Sequence, residues 1–458
     1  MASVAKRSKL RKNKIVHLMY MKKLYFIESI NQIQEDTEKE PSSSFASSRY
    51  IICLEDVNVS REYAARNIQG RFNTENNERG YDNIYRTLEI PKTRMRLDTG
   101  TRLYEGMFVY LEEENDILRF TSGRDADIAK EQIQENSRLR HQLLRDNNYL
   151  DNIADDLDYA HAQIKSYHVN VGNGNCTFVL FIDRYSYRLW MVDCGMIDVK
   201  NRRNYSANID IVMDQIAHDI RCDVSNIRIH RFLLTHWHAD HYNGLIYMLQ
   251  RSWLDSQTIF VMNLYYSCPT IYVNQLLQML NRMNVRCYEP QVSLRLKKCC
   301  ILHPNQRIGR WNNARLNMIG VRKVNDSSVV YSVDGIGKNM IFSGDLERKG
   351  FDRMTIAHTC RPCLNQSTYY CVSHHASLSG HIKIPCLSNS FPTVLDCVQN
   401  NLEYAIVMGR DGAYNGIYDA QVIKDFGNRI IYSERDNTGV FTKGFVLDWN
   451  SNRVDYIY

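Results

Sequence analysis

The chain has 458 residues, 44% apolar and 24% charged, with 57 Lys and Arg against 51 Asp and Glu for a formal net charge of +6. That length exceeds one ordinary compact domain, and the composition excludes a disordered chain, so two or three globular domains are expected. No apolar stretch reaches the roughly twenty residues that cross a bilayer, so a membrane is not expected as partner.

Residues 1–20 read as a basic tail, with Lys6, Arg7, Lys9, Arg11, Lys12 and Lys14 close together. Such a run touches phosphate backbones in some proteins and is a solvated tail in more of them. The segment Ile15–Ile27 is broken by His17, Lys22 and Lys23, which makes it a poor secretory signal. Thirteen scattered cysteines form no regular ladder, and the expected location is cytoplasmic.

Residues 21–123 read as a small β-rich domain. Lys23–Ile27 and Tyr50–Leu54 are apolar runs of strand length, separated by the loop signal Pro41-Ser42-Ser43-Ser44. Gly106–Leu111 and Ile117–Thr121 flank a polar turn and predict a hairpin. Residues 124–165 read as a long helical connector, because neither Gly nor Pro occurs between Asp125 and Lys165. Leu139, Leu143, Leu150, Ile153, Leu157, Ala160 and Ile164 recur at three- and four-residue steps, with Asp146 as the polar interruption. That stripe either packs on its own chain or forms a coiled-coil contact with another subunit.

Residues 166–458 alternate strand, loop and helix, the pattern of a layered α/β domain. Strands are expected at Val169–Val171, Thr177–Ile182, Leu189–Val192, Ile227–Leu234, Ile259–Met262, Val329–Val333, Met340–Phe342 and Tyr369–Val372. Helices are expected at Ile211–Ile220 and Leu245–Leu249.

The chemistry concentrates in Thr235-His236-Trp237-His238-Ala239-Asp240-His241-Tyr242-Asn243-Gly244, on a loop between an apolar strand and a helical run. Three imidazoles and a carboxylate within six residues suit zinc-like cations. His236 and His238 can face one ion from a tight turn, while Asp240 and His241 point elsewhere and can hold a second. Lone histidines are usually satisfied structural groups, and a cluster of this density is not. Further strings follow in order: Asp193-Cys194-Gly195 before the loop, then Leu302-His303-Pro304, Asn325-Asp326-Ser327-Ser328, Ser343-Gly344-Asp345 and Ser373-His374-His375-Ala376-Ser377 after it. His358, Cys360, Cys363 and Cys371 contain a single C-x-x-C step, and ordinary thiols are the default reading over a zinc knuckle.

In this order the strings resemble the metallo-β-lactamase fold superfamily, whose signature is H-x-H-x-D-H, from about Tyr167 to the C-terminus. The His-His-Ala-Ser segment resembles the His-His-Gly-Ser of one branch, which includes the C-terminal metallo-domain of bacterial competence DNA-uptake channel proteins. The resemblance implies an α/β fold, an αββα sandwich preceded here by the small β-rich domain and the long helix. It also implies Zn2+ as cofactor, one or two ions, with Mn2+ as an alternative. By the same resemblance the ligands are His236, His238, Asp240, His241, a bridging Asp345, and one of His374 and His375. His374 is taken as that ligand and His375 as a phosphate or transition-state contact. Asp240 would also orient the nucleophile, and Asn325 and Ser327 would contact the substrate. One departure is that Asn325-Asp326-Ser327-Ser328 stands where many members carry Gly-His-Thr. His303 is either a replacement ligand or structural. Arg410, in Gly409-Arg410-Asp411-Gly412 and near Asn415-Gly416, reaches either an anionic substrate or a surface salt bridge.

The expected function is metal-dependent hydrolysis by a metal-activated hydroxide, acting as a phosphodiesterase or nuclease on nucleic acid or nucleotides. The alternative is hydrolysis of an ester, amide or peptide bond as the effector of a larger assembly, with a defence role as conjecture. Protein partners or self-association would use the N-terminal domain and helix. Flavo-diiron redox chemistry is disfavoured, since such proteins typically carry Glu where His238 stands.

Overall fold

The computed structural model describes residues 22–33, 49–57, 85–97, 102–103, 106–112, 117–120, 124–145, 162–184, 186–198, 203–264, 267–290, 294–296, 298–303, 310–312, 317–319, 324–352, 354, 360, 366–382, 398, 401–411 and 417–458. The chain divides into two compact units. One is built mainly from residues 1–135, with two short later segments, and the other from most of the remainder.

In the first unit, β1 (Lys22–Ile33), β2 (Arg49–Asp56), β3 (Tyr85–Pro91), β4 (Phe108–Glu112) and β5 (Ile117–Phe120) form an antiparallel sheet in the order β3-β2-β1-β4-β5. Alternation sends Tyr25 and Ile27 of β1, Ile52 and Leu54 of β2, and Leu88 and Ile90 of β3 into one core with Val109 and Leu111. Sequence patterning found four of these strands and missed β3.

Helix α1 (Arg124–Arg145) follows. Its second half packs within the second unit. Leu139 and Leu143 are buried, Asn136 donates to the Cys268 carbonyl at 3.2 Å, and Asn281 donates to the Leu139 carbonyl at 3.2 Å. For these residues the stripe packs on its own chain; Leu150, Ile153, Leu157 and Ala160 lie outside the described residues. Ile164, placed on the helical stripe by its spacing, belongs to a strand instead. Residues 163–169 are mostly buried and pair on both sides, so sheet hydrogen bonding outweighs the helical periodicity there.

The larger elements of the remaining chain are β6 (Gln163–Val169), β7 (Cys176–Ile182), β8 (Tyr187–Cys194), α2 (Ser206–Ile220), β9 (Arg231–Leu233), α3 (Ala239–Tyr242), α4 (Leu245–Gln250), β10 (Ile259–Val261), α5 (Ile271–Arg282) and β11 (Arg286–Tyr288). After them come β12 (Leu294–Leu296), β13 (Cys299–His303), β14 (Val330–Asp334), β15 (Lys338–Phe342), α6 (Arg348–Asp352), β16 (Ser367–Cys371), β17 (Leu402–Val407), α7 (Ala420–Phe426), β18 (Ile430–Tyr432), β19 (Gly444–Asp448) and β20 (Arg453–Ile457).

They build two mixed sheets, in the orders β11-β10-β9-β8-β7-β6-β19-β20 and β12-β13-β14-β15-β16-β17-β18. Each sheet is half antiparallel and half parallel: β8 to β11 run parallel in the first, and β15 to β18 in the second. Val179, Phe181, Trp190 and Leu233 of the first sheet share one core with Ile301, Tyr331, Met340 and Tyr369 of the second, so the sheets pack face to face. The outer face of the second sheet (Cys300, Ile341, Tyr370, Val407) is covered by Leu346, Phe351, Val422 and Phe426. Strands buried on both faces read as continuous apolar runs, as in the Cys-Thr-Phe-Val-Leu-Phe-Ile of β7. Helix α2 stops where Arg221 turns left-handed (φ 55°), its N–H returning to the carbonyls of Ala217 and His218. This is a mixed α/β fold. Among the described residues, no helix is long and apolar enough to cross a membrane.

Cys360 lies in the core outside the second sheet, whereas Cys371 faces the core between the sheets, so these two thiols share no site. His358 and Cys363 lie outside the described residues.

Candidate metal centre

Parallel strands place their following loops at one end of a sheet, where ligands of open α/β folds collect. Here the loop after β9 carries His236 to His241, that after β15 carries Asp345, and that after β16 carries His374 and His375. Two clusters result: His236, His238 and Asp345 form one, and Asp240, His241 and His375 the other, each with donor atoms within 4.8 Å of one another. Asp345 stands between them. Its Oδ1 is 3.3 Å from His241 Nε2, and its Oδ2 is 3.9 Å from His236 Nε2 and 3.7 Å from His375 Nε2. Asp240 Oδ2 lies 3.4 Å from His375 Nε2.

The histidine rings are aimed from behind. Asp193, at the end of β8, accepts from the Thr235 N–H at 2.8 Å and faces His241 Nδ1 at 2.8 Å. A carboxylate only accepts, so Nδ1 carries the proton there and Nε2 is presented to the cluster. His375 Nδ1 likewise donates to the Met408 carbonyl at 3.0 Å. The metal loop sits against two glycines: a Cβ on Gly174 or Gly195 would come within 2.4 or 2.2 Å of the Asp240 carbonyl oxygen. The Asn175 N–H donates to that oxygen at 3.1 Å.

His374, His375 and Ala376 are three successive non-glycine residues with positive φ, at 52°, 50° and 61°. Left-handed backbone costs about 1–2 kcal/mol per residue. Hydrogen bonds over-determine the turn: Tyr418 and Asp419 donate to the carbonyls of His375 and Ala376, each at 3.0 Å, and His374 donates to Gly344 at 3.0 Å. Backbone strain of this kind collects at functional sites. The turn separates the two rings. His375 joins Asp240 and His241, while His374 stands outside both clusters, with Nε2 3.9 Å from Asp345 Oδ2 and 3.4 Å from Asn325 Nδ2. This placement is the reverse of the expected one, in which His374 was the ligand.

Electrostatics follow burial and charge. Burial lowers His238 to about 4 and His236 below its ordinary value, so both imidazoles are neutral at pH 7. Burial alone would also lower His241 and His375, but Asp345 and the neighbouring carboxylates outweigh it and raise both. Burial would raise Asp345 and Asp240; the surrounding imidazoles outweigh it and lower both.

The donor chemistry fits a metal. Nε2 of His236, His238, His241 and His375 and Oδ1 of Asp345 are buried and make no hydrogen bond. Imidazole nitrogen with carboxylate oxygen is a Zn2+ or Mn2+ donor set.

Asn325 and Ser327 are buried beside the centre in a short 3-10 turn (Val324–Ser327), and the N–H of Val329 just beyond it donates to the Thr235 carbonyl at 2.8 Å. His303 ends β13, and its side chain, like those of Asp326 and Asn415, lies outside the described residues. Arg410 Nε lies 3.7 Å from Glu434 Oε1, which is the salt-bridge alternative. Sequence reasoning missed Gly174, Met408 and Tyr418. Only Gly174 carried a signal, in the turn string Gly172-Asn173-Gly174.

No protein-family profile matches the chain, and no curated protein matches it. Among solved structures it is similar to a diphosphatase of the PhnP family, with 10% identity and a TM-score of 0.32, over 63% of this chain and 98% of that one. A likeness of that size carries no weight for chemistry, which rests on the geometry above.

Proposed function

We propose that the chain is a metal-dependent hydrolase of the metallo-β-lactamase fold superfamily, cleaving phosphodiester bonds in nucleic acid or nucleotides. The observation that carries the hydrolase reading is the set of buried donor atoms without hydrogen bonds, sorted into two triads with Asp345 between them. A buried polar atom left unpaired costs about 1–3 kcal/mol, so several together in one place call for a ligand. His236, His238 and Asp345 would hold one cation, and Asp240, His241 and His375 a second within reach of Asp345. Bound there, the cations supply Lewis-acid polarisation of a phosphoryl oxygen and a water whose pKa falls to near 7.

The rest falls to the chain. Asp193 and the Met408 carbonyl fix the His241 and His375 rings, Asp240 orients the attacking oxygen, and burial excludes bulk water. His374 and Asn325, beside Asp345 yet outside the triads, would receive the substrate's oxygens. Thus His375 would be the ligand and His374 the substrate contact. The choice of phosphodiesters rests on the resemblance to the competence-type branch and on mild basicity.

The test is bound metal by mass spectrometry in wild type and the Asp240→Ala/His241→Ala variant, each assayed on labelled single- and double-stranded DNA and RNA. Bound metal and strand cleavage, both lost in the variant, are expected. Metal without cleavage would move the substrate to nucleotides, esters or peptides. Wild type that binds neither zinc nor manganese would overturn the hydrolase reading.

A further inference from the structure

We propose that Asn263 reads a nucleobase next to the bond that is cut, an assignment that rests on the phosphodiesterase reading above. Asn263 lies just beyond β10, and its carbonyl accepts from the indole N–H of Trp237 at 2.6 Å. Trp237 stands between His236 and His238, so the main chain of Asn263 is tied to the metal loop. The side chain is 1% exposed, yet neither its Nδ2 nor its Oδ1 makes a hydrogen bond. Among the described residues it is the one amide side chain with both atoms buried and unpaired.

Its direction follows from the sheet. Leu233 of β9 pairs with Val261 of β10, and both side chains enter the core between the sheets. Two residues further on, the same face comes round again. On β9 that residue is Thr235, whose Oγ1 lies 3.2 Å from His236 Nδ1. On β10 it is Asn263, and the Met262 N–H before it still donates to the Tyr288 carbonyl at 3.0 Å, which carries the strand's alternation to its end. The carboxamide therefore stands beside the loop of His236 and His238, on the face that looks toward the second sheet.

A carboxamide presents a donor and an acceptor side by side, and filling both needs a partner with an acceptor and a donor equally close. The edge of a nucleobase has them, and asparagine against a base edge is a recurring pair in nucleic-acid recognition. A phosphate offers acceptors alone, a sugar hydroxyl is a single atom, and a trans peptide points its N–H and C=O in opposite directions. With the phosphate over the triads, the base is the part of the substrate left for Asn263. Burial makes the contact selective, since a base lacking the donor leaves the amide unpaired.

The probes are the p-nitrophenyl ester of thymidine 5′-monophosphate and its N3-methyl analogue, which keeps the sugar and blocks the donor of the base. Metal-loaded wild type should favour the first by about ten- to hundredfold in kcat/KM, and Asn263→Leu should bring the ratio close to one. The ratio cancels any general change in activity. Asn263→Ala should give the same result and stands in for a leucine variant that does not fold. Equal rates on the two esters in wild type, as for a site that reads the sugar, overturn the assignment, and so does a preference that survives in the variants. If wild type hydrolyses neither ester, the phosphodiesterase reading falls instead. Tighter calorimetric binding of thymidine 5′-monophosphate than of its N3-methyl analogue, lost in Asn263→Leu, then upholds the base contact, and equal binding overturns it.

Discussion

Asp193 has the largest leverage of any single side chain outside the triads. It holds the Thr235 backbone and the Nδ1 of His241 at once, so its replacement acts on the direction in which a ligand points. Asp193→Asn keeps the size but offers an amide N–H where an acceptor is needed, which favours the wrong imidazole tautomer. Zn2+ affinity should fall 10- to 100-fold while thermal unfolding of the metal-free protein changes little, as a competition titration with a chelator and a melting curve would check. The raised His241 and His375 set a second expectation. In the metal-free protein Asp345 and the neighbouring carboxylates favour the protonated form of both rings, so metal binding competes with protons there. Calorimetry in buffers of different ionisation heat should therefore register proton release at pH 7, and affinity should weaken as pH falls.

At the scale of elements, the left-handed turn His374–Ala376 is where local preference and tertiary demand disagree most. Ala376 has φ 61°, a conformation glycine adopts freely. Ala376→Gly should be neutral or stabilise the protein by up to about 1 kcal/mol in urea unfolding. A loss of more than that would mean the methyl group packs more tightly than its backbone is strained. Gly195→Ala should do the reverse, since its new Cβ would press on the Asp240 carbonyl from 2.2 Å; reduced metal content in a folded protein is the expected readout.

This turn also shows where sequence reading stops. The string His236 to His241 is legible because a short loop after a strand cannot scatter its ligands, and six residues carry four of the six donors. The choice between His374 and His375 is not legible, because it depends on a backbone conformation imposed by Tyr418 and Asp419, more than forty residues later. Three-residue strands such as β11, β12 and β18 are too short for periodicity to register. Ile164 is the opposite case, a helical spacing claimed by sheet pairing.

For the whole molecule, acid stability is set by buried neutral histidines as well as by carboxylates. His168, on β6, is fully buried between Ser166 and Thr177 and stacked on Phe445, and burial lowers it to about 3. The unfolded chain takes up this proton near pH 6.5, and the folded one does not until about 3. Stability from this group is therefore complete above pH 6.5 and is lost as pH falls through that window, at about 1.4 kcal/mol per unit. Urea unfolding at pH 7 and pH 5 should show the loss in wild type and a smaller one in His168→Gln.

The position of His168 also bears on how the chain is made. β6 pairs on one side with its neighbour β7, and on the other with β19, whose residue Gly444 lies opposite Val169. The first partner leaves the ribosome with β6; the second follows some 275 residues later, at roughly 5–20 residues per second. For tens of seconds the outer edge of β6 has no β19 to pair with. Until Phe445 arrives to cover His168, the ring that the finished fold keeps neutral stands open to protons and to other strands. Slower translation through residues 170–444 lengthens that exposure, and a chaperone that shields this edge should raise the yield of folded protein.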